Sequence, residues 1–173
     1  MAKGAYFEEL GLYLVVMESK DPAKKIAKIT FSKERPGEIS PLAVDIIGHV
    51  LGMCGPVKAD LDMSGLTEFQ RSAYKAVMAI PRGRTATYAE VAFKVGRPGA
   101  ARAVGNAMAS NPFILVMPCH RVVSRKGLGG YGPGLAIKRM LLNLEAIHFS
   151  IDQDQRASLV DSPLEQPPLI SFT

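Results

Sequence analysis

Thr87-Tyr88-Ala89-Glu90-Val91-Ala92-Phe93-Lys94-Val95, the break Gly96-Arg97-Pro98-Gly99, and Ala100-Ala101-Arg102-Ala103-Val104-Gly105-Asn106-Ala107-Met108-Ala109-Ser110 form the stretch on which the fold turns. Thr87 has a side-chain oxygen able to accept a backbone N–H at a helix start, so it predicts a helix over 88–95. The glycines and proline that follow turn the chain, and a second helix is expected over 100–110. Two short helices about a tight glycine-containing turn fit a helix-turn-helix. The second helix carries almost no base-reading side chains. Ala101, Gly105 and Ala109 recur every four residues and leave one face so thin that it can approach DNA closely, even in a minor groove only ~6 Å wide. Close helix packing inside the protein explains the same small residues, with Arg102 then an ordinary surface charge.

Charge around this stretch points to nucleic acid. Residues 67–149 carry 12 Lys/Arg against 3 Asp/Glu, a net +9, whereas residues 1–66 sum to −1 and residues 150–173 to −3. Such asymmetry suits a polyanionic partner, and a solubilising basic face is the alternative.

Upstream, Thr67 with Gln70 makes a capping-box pattern, and Phe69, Ala73, Val77 and Ile80 recur at helical spacing until Pro81-Arg82-Gly83. A domain boundary is expected near 64–67. Residues 6–17 are apolar and β-rich, and 26–32 alternate at period two. With the turn composition Ser19-Lys20-Asp21-Pro22 between them, they predict an antiparallel hairpin. Ser40-Pro41 opens a helix over 42–51, closed by Gly52 and Gly55-Pro56, and the segment to Ser64-Gly65 reads as a short strand and linker.

The bulk numbers narrow the class further. A chain of 173 residues with 47% hydrophobic content can bury a core. No signal peptide is expected from Met1–Glu9, and no run approaches the ~20 apolar residues of a membrane span, so a cytoplasmic protein without membrane partners is expected. Two cysteines do not make a disulfide framework, and a reducing compartment keeps Cys54 and Cys119 as thiols. Neither they nor His49, His120 and His148 show metal-ligand spacing, so no metal or cofactor is expected.

The densest chemistry lies in Asn111-Pro112-Phe113-Ile114-Leu115-Val116-Met117-Pro118-Cys119-His120-Arg121-Val122-Val123. A strand-like apolar run ends in proline and then presents a thiol beside an imidazole and a guanidinium. A free cysteine has a pKa near ~8.5, and a nearby base or positive charge makes thiolate available at neutral pH. On an extended chain adjacent side chains point opposite ways, so His120 need not touch Cys119 directly, and a bridging water could connect them. Cys54, with no polar partner near it in sequence, reads as structural.

The run Pro118-Cys119-His120-Arg121-Val122-Val123 resembles the active-site signature of the O6-alkylguanine-DNA alkyltransferases. The resemblance extends over roughly 65–149 through Leu66–Gln70, Thr87-Tyr88, Ala101–Gly105, Asn111-Pro112, Tyr131 with Gly134-Leu135, and Leu141-Leu142 with Glu145. It implies an α/β chain: a ribonuclease H-like α/β domain with an antiparallel sheet (1–64), a mostly helical domain with the helix-turn-helix and the acceptor thiol (65–149), and a tail (150–173). It implies direct, irreversible, single-turnover transfer of an alkyl group from O6 of guanine in double-stranded DNA to Cys119, by a monomer without cofactor. His120 would be the base, Glu145 its orienter, Asn111 the brace of the active-site turn, and Tyr88 the proton donor to the leaving guanine. Ala101, Arg102 and Gly105 would meet DNA, with Arg102 filling the stack behind a flipped nucleotide. The carbonyls of Cys119 and Val122 would read the exocyclic amine, and Tyr131, Gly132 and Arg121 complete the set toward substrate and DNA.

Departures are visible. Gly132-Pro133 follows Tyr131 where many relatives have a serine, and the N-terminal zinc ligands of some relatives are missing. A related non-catalytic class replaces the cysteine, which is present here. The alternatives are a helix-turn-helix lesion sensor without transfer and a cysteine hydrolase built on Cys119, His120 and Glu145. The hydrolase lacks any recognisable oxyanion hole.

Overall fold

The computed structural model describes residues 2–20, 24–147, 149–151 and 157–159. A four-stranded sheet opens the chain, with β1 Lys3–Phe7, β2 Leu12–Glu18, β3 Ile26–Ser32 and β4 Glu38–Ile39 in spatial order β3-β2-β1-β4. The β2–β3 pairing is the expected antiparallel hairpin, with Val16 opposite Ile29. Asp21 and Pro22 of its expected turn lie outside the described residues.

Two expectations need correction. The stretch 6–17 is not one strand: a 3-10 turn at Glu8–Leu10 and Gly11 at φ +64° reverse the chain, so 3–7 and 12–18 pair antiparallel with each other. Glycine adopts that left-handed backbone without a Cβ clash, which makes the reversal cheap. The sheet is also mixed, because β4 runs parallel to β1, with Lys3 opposite Glu38.

Helix α1, Pro41–Val50, begins where the Ser40 side chain accepts the Ala43 N–H, and it packs on β1 and β2. Its buried Ala43, Ile46, Ile47 and Val50 meet Phe7 and Leu14 from the sheet in one hydrophobic cluster. The segment 56–64 holds no strand among the described residues. It makes a single bridge, Ile26 to Leu61, on the outer edge of β3.

Helix α2, Glu68–Met78, starts with the full Thr67–Gln70 capping box. Then come β5 (Ala86–Thr87), α3 (Tyr88–Lys94), α4 (Ala101–Ala109), β6 (Val122–Val123), α5 (Leu135–Leu144), and the paired β7 (Phe149–Ile151) and β8 (Ala157–Leu159). Thr87 and Glu90 form a second capping box, which seats α3 immediately after β5. Helices α2, α3 and α4 pack on one another, and buried Tyr74 of α2 donates its hydroxyl to Ala107 O of α4 at 2.8 Å. The same hydrophobic cluster runs from Phe7 and Leu14 through Tyr74, Val104 and Phe113 to Leu141. Of the tail expected over 150–173, residues 152–156 and 160–173 lie outside the described residues. None of the described helices is long and apolar enough to cross a membrane.

The run 113–117 also departs from its strand-like reading. Met117 N–H returns to Phe113 O at 2.9 Å and Leu115 takes φ +71°, so the segment is a tight turn. One point of it joins the sheet: Ile29 N–H donates to Pro112 O at 2.7 Å on the outer edge of β3.

Gly4 in β1 gives a test of the sheet. A Cβ there would collide with the Leu14 carbonyl oxygen and meet Pro36 Cγ at 3.0 Å, whereas a Cβ on Gly37 meets nothing within 4 Å. Gly4→Ala is expected to cost ~1–3 kcal/mol, as overpacking does, and Gly37→Ala to stay within about 0.5 kcal/mol. Urea midpoints of the two variants check this, and equal midpoints would contradict the close approach of β1 and β2.

Candidate active site

The parallel pair β5–β6, with Ala86 opposite Val122 and Thr87 opposite Val123, brings two chemical residues to one place. Tyr88 follows β5 directly, and Cys119 precedes β6 by a single 3-10 turn, Cys119–Arg121. That turn corrects the extended reading of Cys119 and His120. Together with Gly105, Met108, Ala109, Gly130, Tyr131 and Gly132 they line a cleft of about 230 Å³.

Cys119 is 3% exposed. Burial pushes its pKa up, opposed by a hydrogen bond from Asn111, the charge of Lys138, and the backbone N–H groups of Cys119 and His120. Asn111 Nδ2 lies 3.1 Å from Sγ and also donates to Met117 O at 2.9 Å, while Asn111 Oδ1 accepts from Phe113 N–H at 2.9 Å. One amide therefore grips both ends of the 113–117 turn and the thiol at its exit.

His120 and Glu145 are fully sequestered. His120 Nε2 lies 3.0 Å from Glu145 Oε1. A carboxylate only accepts, so Nε2 carries the proton and Nδ1 keeps its lone pair. Nδ1 is buried and has no hydrogen-bond partner. Burial drives the His120 pKa down despite the hydrogen bond and charge of Glu145, so the ring is neutral. For Glu145, burial raises the pKa, but the hydrogen bonds from His120 and Arg121 and the charge of Arg121 outweigh it and leave it at about 2.

Arg121 corrects its assignment to the substrate and DNA surface. It is 4% exposed, and Nε and Nη2 fork onto Glu145 at 2.9 and 2.8 Å, while Nη1 donates to Ile80 O at 2.8 Å. Gly83 N–H adds a further bond to Glu145 Oε2 at 3.3 Å.

The remaining residues distribute around the cleft. Tyr88 Oη donates to Gly130 O at 3.2 Å and accepts from Gly130 N–H at 3.1 Å. Tyr131 lines the wall with a buried hydroxyl that has no partner, and Gly132 leaves the wall without a side chain. Gly105 of α4 lies beside Tyr88, whereas Ala101 is only half-buried and Arg102 is exposed. Val122 O accepts from Lys138 Nζ at 2.6 Å. Cys54 lies apart on the surface, its Sγ 3.4 Å from Asp45 O, so it fills no core position. Among the described residues no cluster of His, Cys, Asp or Glu could hold a metal ion.

Sequence reasoning missed Lys138. Its signal was available: Lys138, Leu141, Leu142 and Glu145 share one face of a helical register, and the first is a lysine among buried positions. It also missed the Gly130 partner of Tyr88, for which no local signal exists.

Residues 68–147 match the family model described as 6-O-methylguanine DNA methyltransferase, DNA binding domain. The methylated-DNA–protein-cysteine methyltransferase of Mycobacterium tuberculosis is 43% identical over 111 residues, spanning 64% of this chain and 67% of that protein. Among solved structures, M. tuberculosis OGT in complex with DNA aligns with a TM-score of 0.63 at 36% identity, over 77% of this chain and 86% of that one. The O6-methylguanine-DNA methyltransferase of Pyrococcus kodakaraensis aligns with a TM-score of 0.65 at 25% identity, over 78% and 91%. The matched segment 68–147 contains the whole cleft with its Cys119 thiol, and the chain belongs to the methylated-DNA–protein-cysteine methyltransferase family.

Proposed function

We propose that this protein repairs DNA by moving an alkyl group, methyl in the simplest case, from O6 of guanine onto its own Cys119, irreversibly and once per chain. The observation that carries the reading is the cleft itself: a buried thiol and a phenol line one 230 Å³ cavity, and a neutral histidine with one unengaged nitrogen follows the thiol in sequence. His120 Nδ1 takes the thiol proton through water, with Glu145 fixing the tautomer and Arg121 fixing Glu145. The sulfur attacks the alkyl carbon as its bond to O6 breaks, and Tyr88 delivers a proton to the departing guanine. Asn111 braces the turn, and the carbonyls of Cys119 and Val122 read the exocyclic amine. The product is a thioether, which does not hydrolyse readily.

The substrate of this reading is double-stranded DNA carrying O6-alkylguanine, met by a cytoplasmic monomer that needs no cofactor. O6 in a stacked duplex cannot meet a buried thiol in line, so the nucleotide flips out. Helices α3 and α4 act as a helix-turn-helix. The thin face of α4 enters the minor groove, with Ala101 and Gly105 against DNA and exposed Arg102 holding the gap in the stack. The architecture of this reading is a ribonuclease H-like domain over 1–64, the DNA-binding and acceptor domain over 65–149, and a tail over 150–173. A lesion sensor without transfer is not favoured, because the acceptor thiol is in place.

Mixing the protein with O6-methylguanine duplex is expected to add one methyl per chain, mapped to the peptide containing Cys119, and Cys119→Ser is expected to add none. A label on Cys54, or transfer by Cys119→Ser, would remove the reading.

The two arginines are expected to separate. Arg102→Ala slows repair of duplex far more than reaction with a free modified base, and leaves stability unchanged. Arg121→Met leaves Glu145 buried without its main partner, and should cost ~3–5 kcal/mol of folding stability. Single-turnover rates on both substrates and denaturant midpoints check the pair. Equal slowing of both substrates by Arg102→Ala would take Arg102 out of the stack.

Tyr88 carries an unusually large share of leaving-group stabilisation here, because Gly132 offers only a backbone N–H. Tyr88→Phe is expected to cost about 1.5–3 kcal/mol, or roughly 10- to 150-fold in single-turnover rate. A Cβ at Gly132 meets only Ala109 O at 3.6 Å, so Gly132→Ser fits and should return part of the loss. A Tyr88→Phe rate within about threefold of wild type is the result that sinks this role.

A further inference from the structure

Lys138 is the one cationic side chain on α5 that is fully buried, at 0% exposure, and nothing in the transfer chemistry described so far uses its charge. Its Nζ donates to Val122 O at 2.6 Å and to Gly130 O at 3.0 Å. Among the described residues no carboxylate pairs with it. An ammonium taken out of water without a counter-ion is costly, and two carbonyls offset only part of that cost. A lysine at this place is therefore explained poorly by stability alone. Two features give it a task. Of the carbonyls it holds, Gly130 belongs to a residue of the cleft wall, and Val122 follows directly on the turn that carries Cys119. The charge it carries acts on Cys119 and on His120.

We infer that Lys138 is a positioning residue for the transfer: its ammonium ties the backbone after the Cys119 turn, at Val122 O, to the cleft wall at Gly130 O and supplies the counter-charge for the Cys119 thiolate. This inference rests on the proposed alkyl transfer. Gly130 O accepts from two donors, Lys138 Nζ and Tyr88 Oη at 3.2 Å. When guanine enters and Tyr88 turns its proton toward the base, Gly130 O keeps a charged donor, so the exchange leaves no buried carbonyl unsatisfied. Val122 O retains a second lone pair for the exocyclic amine while Lys138 fixes its direction. During the step the thiol proton passes to His120 Nδ1, sulfur takes the alkyl carbon from O6, and guanine takes the proton of Tyr88. Water returns the His120 proton to Tyr88. The negative charge that moves from sulfur to guanine stays within the field of one fixed cation throughout.

The groups facing Lys138 are Cys119 and His120 on the turn before β6, and Tyr88 on α3, which shares Gly130 O. Burial depresses the Lys138 pKa to about 8, with the charge of Cys119 opposing. Burial holds Tyr88 above the ordinary phenol range, so it does not ionise in the same window. The counter-charge is thus present below about pH 8 and lost above it.

Single-turnover methyl transfer from a duplex with one O6-methylguanine is to be measured for wild type, Lys138→Arg and Lys138→Met between about pH 6.5 and 9.5, alongside affinity for undamaged duplex. The wild-type rate is expected to fall above about pH 8. Arginine stays charged, so Lys138→Arg should recover much of the rate and lose that alkaline fall. Lys138→Met should be slower by at least about tenfold near pH 7.5, with duplex affinity within about twofold. A Lys138→Met rate within about threefold of wild type overturns the inference, as does an alkaline fall that is absent from wild type or unchanged in Lys138→Arg. Should Lys138→Met fail to fold, the comparison of wild type with Lys138→Arg decides alone. A wild type that transfers no methyl at any pH overturns the alkyl-transfer reading itself, a result distinct from a wild type that transfers without an alkaline fall.

Discussion

The buried carboxylate of Glu145 is the interaction on which the site depends. It stands at the C-terminal end of α5 and takes hydrogen bonds from His120, both prongs of Arg121, and Gly83. Three separate stretches of chain meet there: the turn after α2, the turn that carries Cys119, and the last turn of α5. An ionised carboxylate in a dry interior is tolerated only when nearly all its lone pairs are engaged, and here both oxygens are. Arg82 adds a second clasp, donating to Val50 O of α1 and Leu144 O of α5. The N-terminal helix is thereby tied to the end of α5 that places Glu145.

With that anchor in place, the electrostatics of the cleft fall into order. Burial opposes charge on the thiol and on the imidazole alike, so both rest neutral. The groups that favour a thiolate, Asn111, Lys138 and the two backbone N–H groups, are already aimed at it and need not reorganise when it forms. Reactivity is kept low until a substrate brings its own reason for the proton to move. For a protein that consumes itself in one reaction, a resting thiol that stays protonated is an advantage.

Local signals in the sequence were read well, and long-range ones poorly. Ser40-Pro41, Thr67 with Gln70, and Thr87 each announce a helix start through hydrogen bonds that close within three or four residues, and α1, α2 and α3 begin there. The split of 6–17 was legible in principle at Gly11. The turn at 113–117 was not, because a leucine at positive φ carries no mark in composition, and its β-rich residues argue for a strand. Within the site, Cys119 and His120 stood out by chemistry alone, while Glu145 came only through resemblance. Arg121 is placed by the resemblance toward substrate and DNA, and nothing local marks its burial, because its carboxylate partner lies 24 residues away. Lys138 was legible in its register with Leu141, Leu142 and Glu145, since what makes it unusual is the burial of its position and not its residue type.

The outer edge of β3 is closed by two short segments, 60–62 through Ile26 and 112–113 through Ile29. An uncovered edge strand presents a row of free N–H and C=O groups that any other chain can extend, and proteins protect such edges explicitly. Here part of the protection is the active-site loop itself. Anything that loosens residues 112–113 therefore exposes Ile29 and its neighbours as a template for self-association. The hydrogen bond from Ile29 to Pro112 thus serves both the seat of the reactive turn and part of the cover over the β3 edge.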